Sequence, residues 1–459
     1  MGVGIMKTSR LVVCASLALA AAFSFGSAQA SYTQKILYTL MGSSDGGNPT
    51  GLLSADSEGN LYGVAGSGGS TSCATGTKSA PTGCGLVFEV TTSGSELVLH
   101  TFLGVNSSDG ASPVGGLIHN AAGTLFGATA QGGVAETHCK IGCGTVFSLT
   151  STGTLTVLYA FQSGNDGQGP SDGLLMDKKG NLYGMTMGGG GTYHCGDRDA
   201  PGCGTIFKVT SAGKESVLHR FAGGSDDGAY PIGSLIADAQ GNLYGTTVAG
   251  GGTDSCGILS GAGCGVVFEL ATDGTLSILH AFTGGSDGAY PTGALMFDSE
   301  GNLYGTTVGG GSDANCGVGA YGCGTVFKIA AAGGGESVLY AFQGGSDGGY
   351  PTSGVVADSD DNLYGVTAAG GGTGNCGLKS KSLTVKGCGT AFEIAAAGGE
   401  SILYVFKGTK GAGGYPIFGL IQNKAGKFFG ATTSGGVTGC TSGAGKLNCG
   451  TVFDLSLKK

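Results

Sequence analysis

The chain predicts an all-β fold, a β-propeller of seven four-stranded antiparallel blades, and three observations lead there. First, one unit recurs seven times, each copy marked by a single proline: Pro49, Pro113, Pro170, Pro231, Pro291, Pro351 and Pro416. A repeat of about 60 residues decides the architecture before any local feature does. Second, each unit holds four short runs rich in Val, Ile, Leu, Phe, Tyr and Thr, bounded by Gly, Asp, Asn or Ser, with no sustained helical period. Third, the ends interlock. Residues 35–40 (KILYTL) match the fourth run of the other copies, whereas the chain finishes in residues 449–455 (CGTVFDL), which match the third. The N-terminal strand is therefore expected to complete the last blade and close the ring.

The copy at residues 230–282 shows each element. After the proline comes strand a, which ends in the turn D-x-x-G-N at residues 238–242; strand b carries L-Y-G, strand c carries V-F, and strand d ends at Phe282. The turn opens on Asp56, Asn120, Asp177, Asp238, Asp298, Asp358 or Asn423, whose short side chains accept hydrogen bonds from turn amides. The glycine three residues later tolerates a positive φ; Asp361 takes its place in the sixth copy. Glycine, at 99 residues, follows no G-X-Y period, which excludes collagen.

The domain reading is a signal peptide at residues 1–30 and one propeller domain at 31–459, with copies beginning near residues 45, 109, 166, 227, 287, 347 and 412. Lys7 and Arg10, an apolar run at 11–25 and the small-x-small site Ala28-Gln29-Ala30 predict export, with cleavage after Ala30. The apolar run is short for a membrane span, and no later run is long enough. The formal charge is −9 and the basic residues do not cluster. That disfavours nucleic-acid backbones and anionic membranes as partners; no nucleic-acid partner and no membrane span in the mature chain are predicted.

Outside the leader there are two cysteines per copy, always between strands b and c. They are Cys73 and Cys84, Cys139 and Cys143, Cys195 and Cys203, Cys256 and Cys264, Cys316 and Cys323, Cys376 and Cys388, and Cys440 and Cys449. An even count in an exported chain predicts seven disulfides, one per blade. The spacing wanders from 4 to 12 residues, unlike the fixed spacings of zinc sites. No metal and no cofactor is predicted.

The pattern G-N-L-Y-G-x-T followed by G-T-V-F-x-(L/I/V), as at residues 301–306 and 324–329, resembles that of the GloVer tandem-repeat proteins of bacteria. The match recurs over residues 32–457. The resemblance implies an exported protein, in some members held at the surface by varied C-terminal anchors. This chain stops at Lys459 with no anchor segment. The resemblance supplies no catalytic residues to carry over.

What every copy shares reads as fold, so local function should sit in the departures. G-x-S-x-G at residues 284–288 and 344–348 lacks the strand-to-helix elbow of a hydrolase nucleophile. Two candidate sets remain. One is a loop face of Asp45, Asp109, Asp166, Asp227, Asp287 and Asp347, broken by Ala412, with Tyr230, Tyr290, Tyr350 and Tyr415 before their prolines. Carboxylates near the axis would bind cations or polar ligands, and exposed aromatics would stack on sugars or peptides. Against this, S-D-G is a good turn. The other set is irregular: Glu136 and His138, and His194, Asp197, Arg198 and Asp199, in neighbouring loops, with His119 on strand a. These could supply acid–base groups or simply be solvated. The sequence therefore points to a secreted, monomeric binding module, periplasmic or extracellular, with a glycan or protein ligand. The alternatives are a propeller hydrolase, lyase or lactonase with an axial pocket, and a purely structural envelope component.

Overall fold

In the computed structural model the described residues are 32–458, except 43, 70–82, 106, 134, 136–138, 192–194, 196–201, 253–255, 257–262, 312–315, 317–321, 332–334, 373–378, 381–382, 385–386, 410, 437 and 443–444. The predicted leader and its predicted cleavage site lie outside them. No α-helix occurs among the described residues, and hence none long and apolar enough to cross a membrane.

Seven antiparallel blades follow one another along the chain, and two short two-stranded hairpins lie in the b–c loops of blades 6 and 7. In blade 4 the strands are Gly228–Ala237 (a), Leu243–Gly250 (b), Val266–Leu270 (c) and Leu276–Ala281 (d), paired in that order. Strand c is buried at four of its five positions, as a strand with two packed faces is. In blades 3 and 5 strand a is broken in two, Gln168–Pro170 with Leu175–Met176 and Ala289–Pro291 with Met296–Phe297.

Blade 7 closes the ring as predicted. Leu420–Gln422 (a), Phe428–Thr432 (b) and Thr451–Leu457 (c) come from the end of the chain, and Tyr32–Thr39 from its beginning supplies strand d. The register runs from Tyr32 opposite Leu457 to Thr39 opposite Thr451, with one bulge.

The core lies between blades. Each V-F phenylalanine on strand c faces the glycine of L-Y-G on strand b: Gly63 opposite Phe88, Gly127 opposite Phe147, Gly245 opposite Phe268, Gly305 opposite Phe327. A methyl group on Gly305 would come 2.5 Å from Phe327 Cζ and 2.9 Å from Leu295 Cδ2. The glycine is thus the space the ring occupies. The same ring meets the last phenylalanine of the preceding blade edge-to-face. Phe282 and Phe327 have centroids 5.2 Å apart at 65°, and Phe406 and Phe453 repeat this at 5.2 Å and 66°. Such pairs add about 0.5–1.5 kcal/mol beyond their buried area. At the join between blades 7 and 1, Leu40 stands in the phenylalanine's place and packs in one cluster with Phe88.

Candidate functional site

Antiparallel topology puts the d–a and b–c loops on one face and the a–b and c–d turns on the other. The loops are tied together by backbone hydrogen bonds, Gly251 N to Gly224 O, Gly311 N to Gly285 O and Gly371 N to Gly345 O. Under each b–c loop in blades 2, 3, 5, 6 and 7 lies a buried threonine pair joining strands b and c, such as Thr307 and Thr325 with hydroxyls 2.8 Å apart. Four disulfides bind the described loops: Cys139–Cys143, Cys195–Cys203, Cys256–Cys264 and Cys316–Cys323. Cys84, Cys388 and Cys449 are disulfide-bonded as well; the members predicted to pair with them lie outside the described residues or have undescribed side chains. Disulfides persist in oxidising compartments, and these mark an exported, non-cytoplasmic protein.

The four tyrosines do not stand out as aromatic platforms. Tyr230, Tyr290 and Tyr415 are buried, at 8%, 9% and 3% exposure, and Tyr350 is half-buried. All four adopt left-handed backbone, φ 55–59°, an uncommon state for a bulky residue that the surrounding structure must hold. Their backbone N–H groups donate to Cys203, Cys264, Cys323 and Cys388 O. The Tyr290 hydroxyl donates to Cys256 O (2.5 Å) and that of Tyr350 to Cys316 O (2.6 Å). The exposure expected of them is therefore corrected: they pin the disulfide-bearing loops from below.

The aspartates do not ring the axis either, because each is turned toward strand d. Asp45, Asp166 and Asp347 accept from the hydroxyls of Tyr38, Tyr159 and Tyr340, at 2.9, 2.7 and 3.1 Å. Asp109, Asp227 and Asp287 face Nε2 of His100, His219 and His280 at 3.2, 3.2 and 3.3 Å. Each also caps a backbone N–H just after strand d. Burial pushes Asp166 up; at Asp109 burial acts the same way, but hydrogen bonds from His100 and its neighbours outweigh it and leave the carboxyl low. Burial lowers His280 despite Asp287. Where Ala412 breaks the column, Tyr404 donates instead to Oε1 of Gln34, on the closing strand, at 2.9 Å. At the matching position of blades 1, 3, 5 and 6 stand Glu96, Glu215, Glu336 and Glu400. Burial first, then the nearby Asp45, Asp166, Asp287 and Asp347, pushes each of these carboxyls up to about 7.

His119 ends strand a beside the a–b turn and is exposed on the face opposite the b–c loops. The structure does not bring it to the axis or to those loops. Glu136, His138, His194, Asp197, Arg198 and Asp199 lie outside the described residues. The turn aspartates do what their sequence predicts. Asp298 Oδ1 accepts from Glu300 N and Asn302 N, and Oδ2 from Asn302 Nδ2 and the Tyr304 hydroxyl. Burial opposes ionisation there, and these bonds outweigh it, so the carboxyl stays low.

The axis itself is built from the two residues before each strand-a apolar run. Glycine fills at least one of them in every copy. A Cβ on Gly115 would collide with Asp172 and Gly173 of the next blade, and one on Gly293 with Ser353 and Gly354. What remains open is a cavity of about 110 Å³ bordered by residues of blades 1 and 3–7, among them Asp172, Ser234, Ser353 and Phe418. Asp172 Oδ1 accepts from Gly173 N at 2.7 Å. Burial pushes its carboxyl up, against the lowering hydrogen bonds from Gly173 and Ser234. Sequence reading missed this residue. The signal was present: Gly51, Gly115, Gly233 and Gly293 occupy its position in other copies, and Asp172 is the one charged departure.

The Gloeobacter/Verrucomicrobia repeat matches at residues 20–196, 71–318, 136–378 and 260–459. The chain belongs to this repeat family. No curated protein matches it. Among solved structures, this Gloeobacter/Verrucomicrobia repeat protein is similar to the extracellular domain of a hybrid two-component system from B. thetaiotaomicron, at 10% identity and TM-score 0.49, covering 93% of this chain and 41% of that one. It therefore spans about two-fifths of that chain's length. A gluconolactonase from Xanthomonas campestris matches at 14% identity and TM-score 0.40, covering 73% and 87%. A luciferin-regenerating enzyme matches at 13% and 0.40, covering 77% and 92%. At these values none of the three bears on activity.

Proposed function

We propose that this repeat protein is a secreted, monomeric binding module that displays its b–c loops to an extracellular partner, a glycan or a protein. Export would begin with cleavage of the leader after Ala30. The observation that carries the reading is the contrast between base and loop. The base repeats from blade to blade: threonine pairs, a disulfide and, in several blades, a buried tyrosine. The segments between the cysteines vary in length and sequence. Binding residues concentrate on loops that a rigid scaffold positions. The loops of blades 2 and 3, with Glu136, His138, His194, Asp197, Arg198 and Asp199, carry the most distinctive side chains. An axial-pocket hydrolase, lyase or lactonase is less well supported, because glycine contacts narrow the axis to a cavity of about 110 Å³.

The test is a glycan and peptide array probed with the mature protein, followed by exchange of the blade 2 loop for that of blade 4. Binding to a defined ligand class that the exchange abolishes, with melting temperature unchanged, is the expected result. A silent array, or binding indifferent to exchange of the loops, overturns the reading.

A further inference from the structure

We propose that the axial cavity is a binding site for a small protonated amine, held by Asp172 on one side and by Leu52, Ile417 and Phe418 on the other. This site is separate from the loop-face reading and stands or falls independently of it.

The cavity wall is two-sided. Going round the ring, blades 3 to 6 contribute oxygen-bearing side chains, Asp172, Ser234, Thr292, Thr352 and Ser353. Blades 7 and 1 contribute only apolar ones, Ile417, Phe418, Leu420 and Leu52, while Ala294, Val355 and Val356 stand among the oxygens of blades 5 and 6. None of the lining residues is basic. Asp172 is half-buried in this wall, and a carboxylate partly withdrawn from water is favoured by a compensating cation. Ser353 is a second unmet group: it is 8% exposed, and its Oγ, buried against the same cavity, has no hydrogen-bond partner. A hydroxyl in that state is an acceptor or donor waiting for a ligand or water.

The distribution of oxygens selects the kind of cation. Hard metal ions take six or more oxygens arranged all round. Here the oxygens occupy one side, and among the described residues no group of three His, Cys, Asp or Glu could hold a metal. A primary ammonium on a short alkyl chain matches both sides. Its N–H groups would donate to Asp172 and to serine hydroxyls, its methylenes would cover Leu52 and Ile417, and the Phe418 ring would add attraction for positive charge. Size agrees. One water takes about 10–15 Å³ of such volume, so 110 Å³ accommodates roughly seven to eleven non-hydrogen atoms, room for a short alkylammonium. Asp172 and Phe418 are also departures at one repeat position, where copies one, two, four and five carry glycine.

That last point supplies variants suited to folding. D172G and F418G each install the residue that four other copies use. The experiment is isothermal titration of the mature protein with n-butylammonium chloride at neutral pH, with butan-1-ol and calcium chloride as comparison ligands at matched ionic strength. Saturable butylammonium binding is expected, at least ten-fold weaker in D172G and several-fold weaker in F418G, with butan-1-ol at least ten-fold weaker on the parent. Circular dichroism melts of both variants establish that the ring has formed. The proposal is overturned if the parent does not bind butylammonium, if folded D172G binds it equally well, or if calcium binds at Asp172 and displaces it.

Discussion

The pairing of Gly305 with Phe327 can be tested as a steric lock. Gly305 does not have positive φ, so alanine there meets only a packing penalty. Its methyl group would lie 2.5 Å from Phe327 Cζ, about 1 Å inside ordinary carbon contact. Overpacking of this kind costs about 1–3 kcal/mol. Phe327 is fully buried and stacked edge-to-face on Phe282, so F327A should cost about 3–5 kcal/mol. In the double variant the alanine methyl enters space the ring has left. The double variant should then cost at least about 1 kcal/mol less than the two single penalties added together, with Leu295 Cδ2 at 2.9 Å limiting the relief. Guanidinium unfolding of the disulfide-intact protein, followed by far-ultraviolet circular dichroism, reads all four corners of the cycle. Additivity within about 0.5 kcal/mol would refute the view that this glycine exists to seat the ring.

Two further outcomes follow from the same geometry. Glu400 is pushed up to about 7 by burial and by Asp347. The folded state therefore binds its proton more tightly than the unfolded chain, so this contribution is complete below pH 4.5 and is lost as pH rises through 7. E400Q, which copies the natural Gln34, should raise the melting temperature at pH 8 and change it little at pH 5; equal shifts at both would contradict the assignment. Y290F leaves Cys256 O without its hydroxyl donor and should cost about 1–3 kcal/mol in thermal unfolding, whereas a neutral effect would mean the tyrosine does not pin the loop.

Much of the fold was legible because the repeat states it seven times over. The prolines counted the blades, and the mismatch between KILYTL at one end and CGTVFDL at the other showed how they close. The L-Y-G and V-F motifs were visible separately. That one is the space for the other was not, since the pairing depends on register between strands some 20 residues apart, Gly305 opposite Phe327. The candidate site was harder. A tyrosine before proline suggests exposure, but left-handed backbone turns Tyr290 inward. The aspartate column suggested an axial ring, whereas each carboxylate finds a Tyr or His on strand d seven to nine residues earlier. Asp172 was legible as a departure and became meaningful only once strand a was known to line the axis.

The closing strand also fixes how the ring answers force. Tyr32 lies opposite Leu457 in an antiparallel pair, so the two ends of the folded chain leave blade 7 side by side. Tension between them loads the ladder one bond at a time from that end, as a zipper is opened, and never shears all its rungs together. Beyond the last rung the ring meets Leu40 against Phe88, which replaces the phenylalanine pair of the other six junctions. A propeller held by one end keeps this junction out of the line of pull, while one stretched between both ends unzips the blade 7 ladder and then opens there.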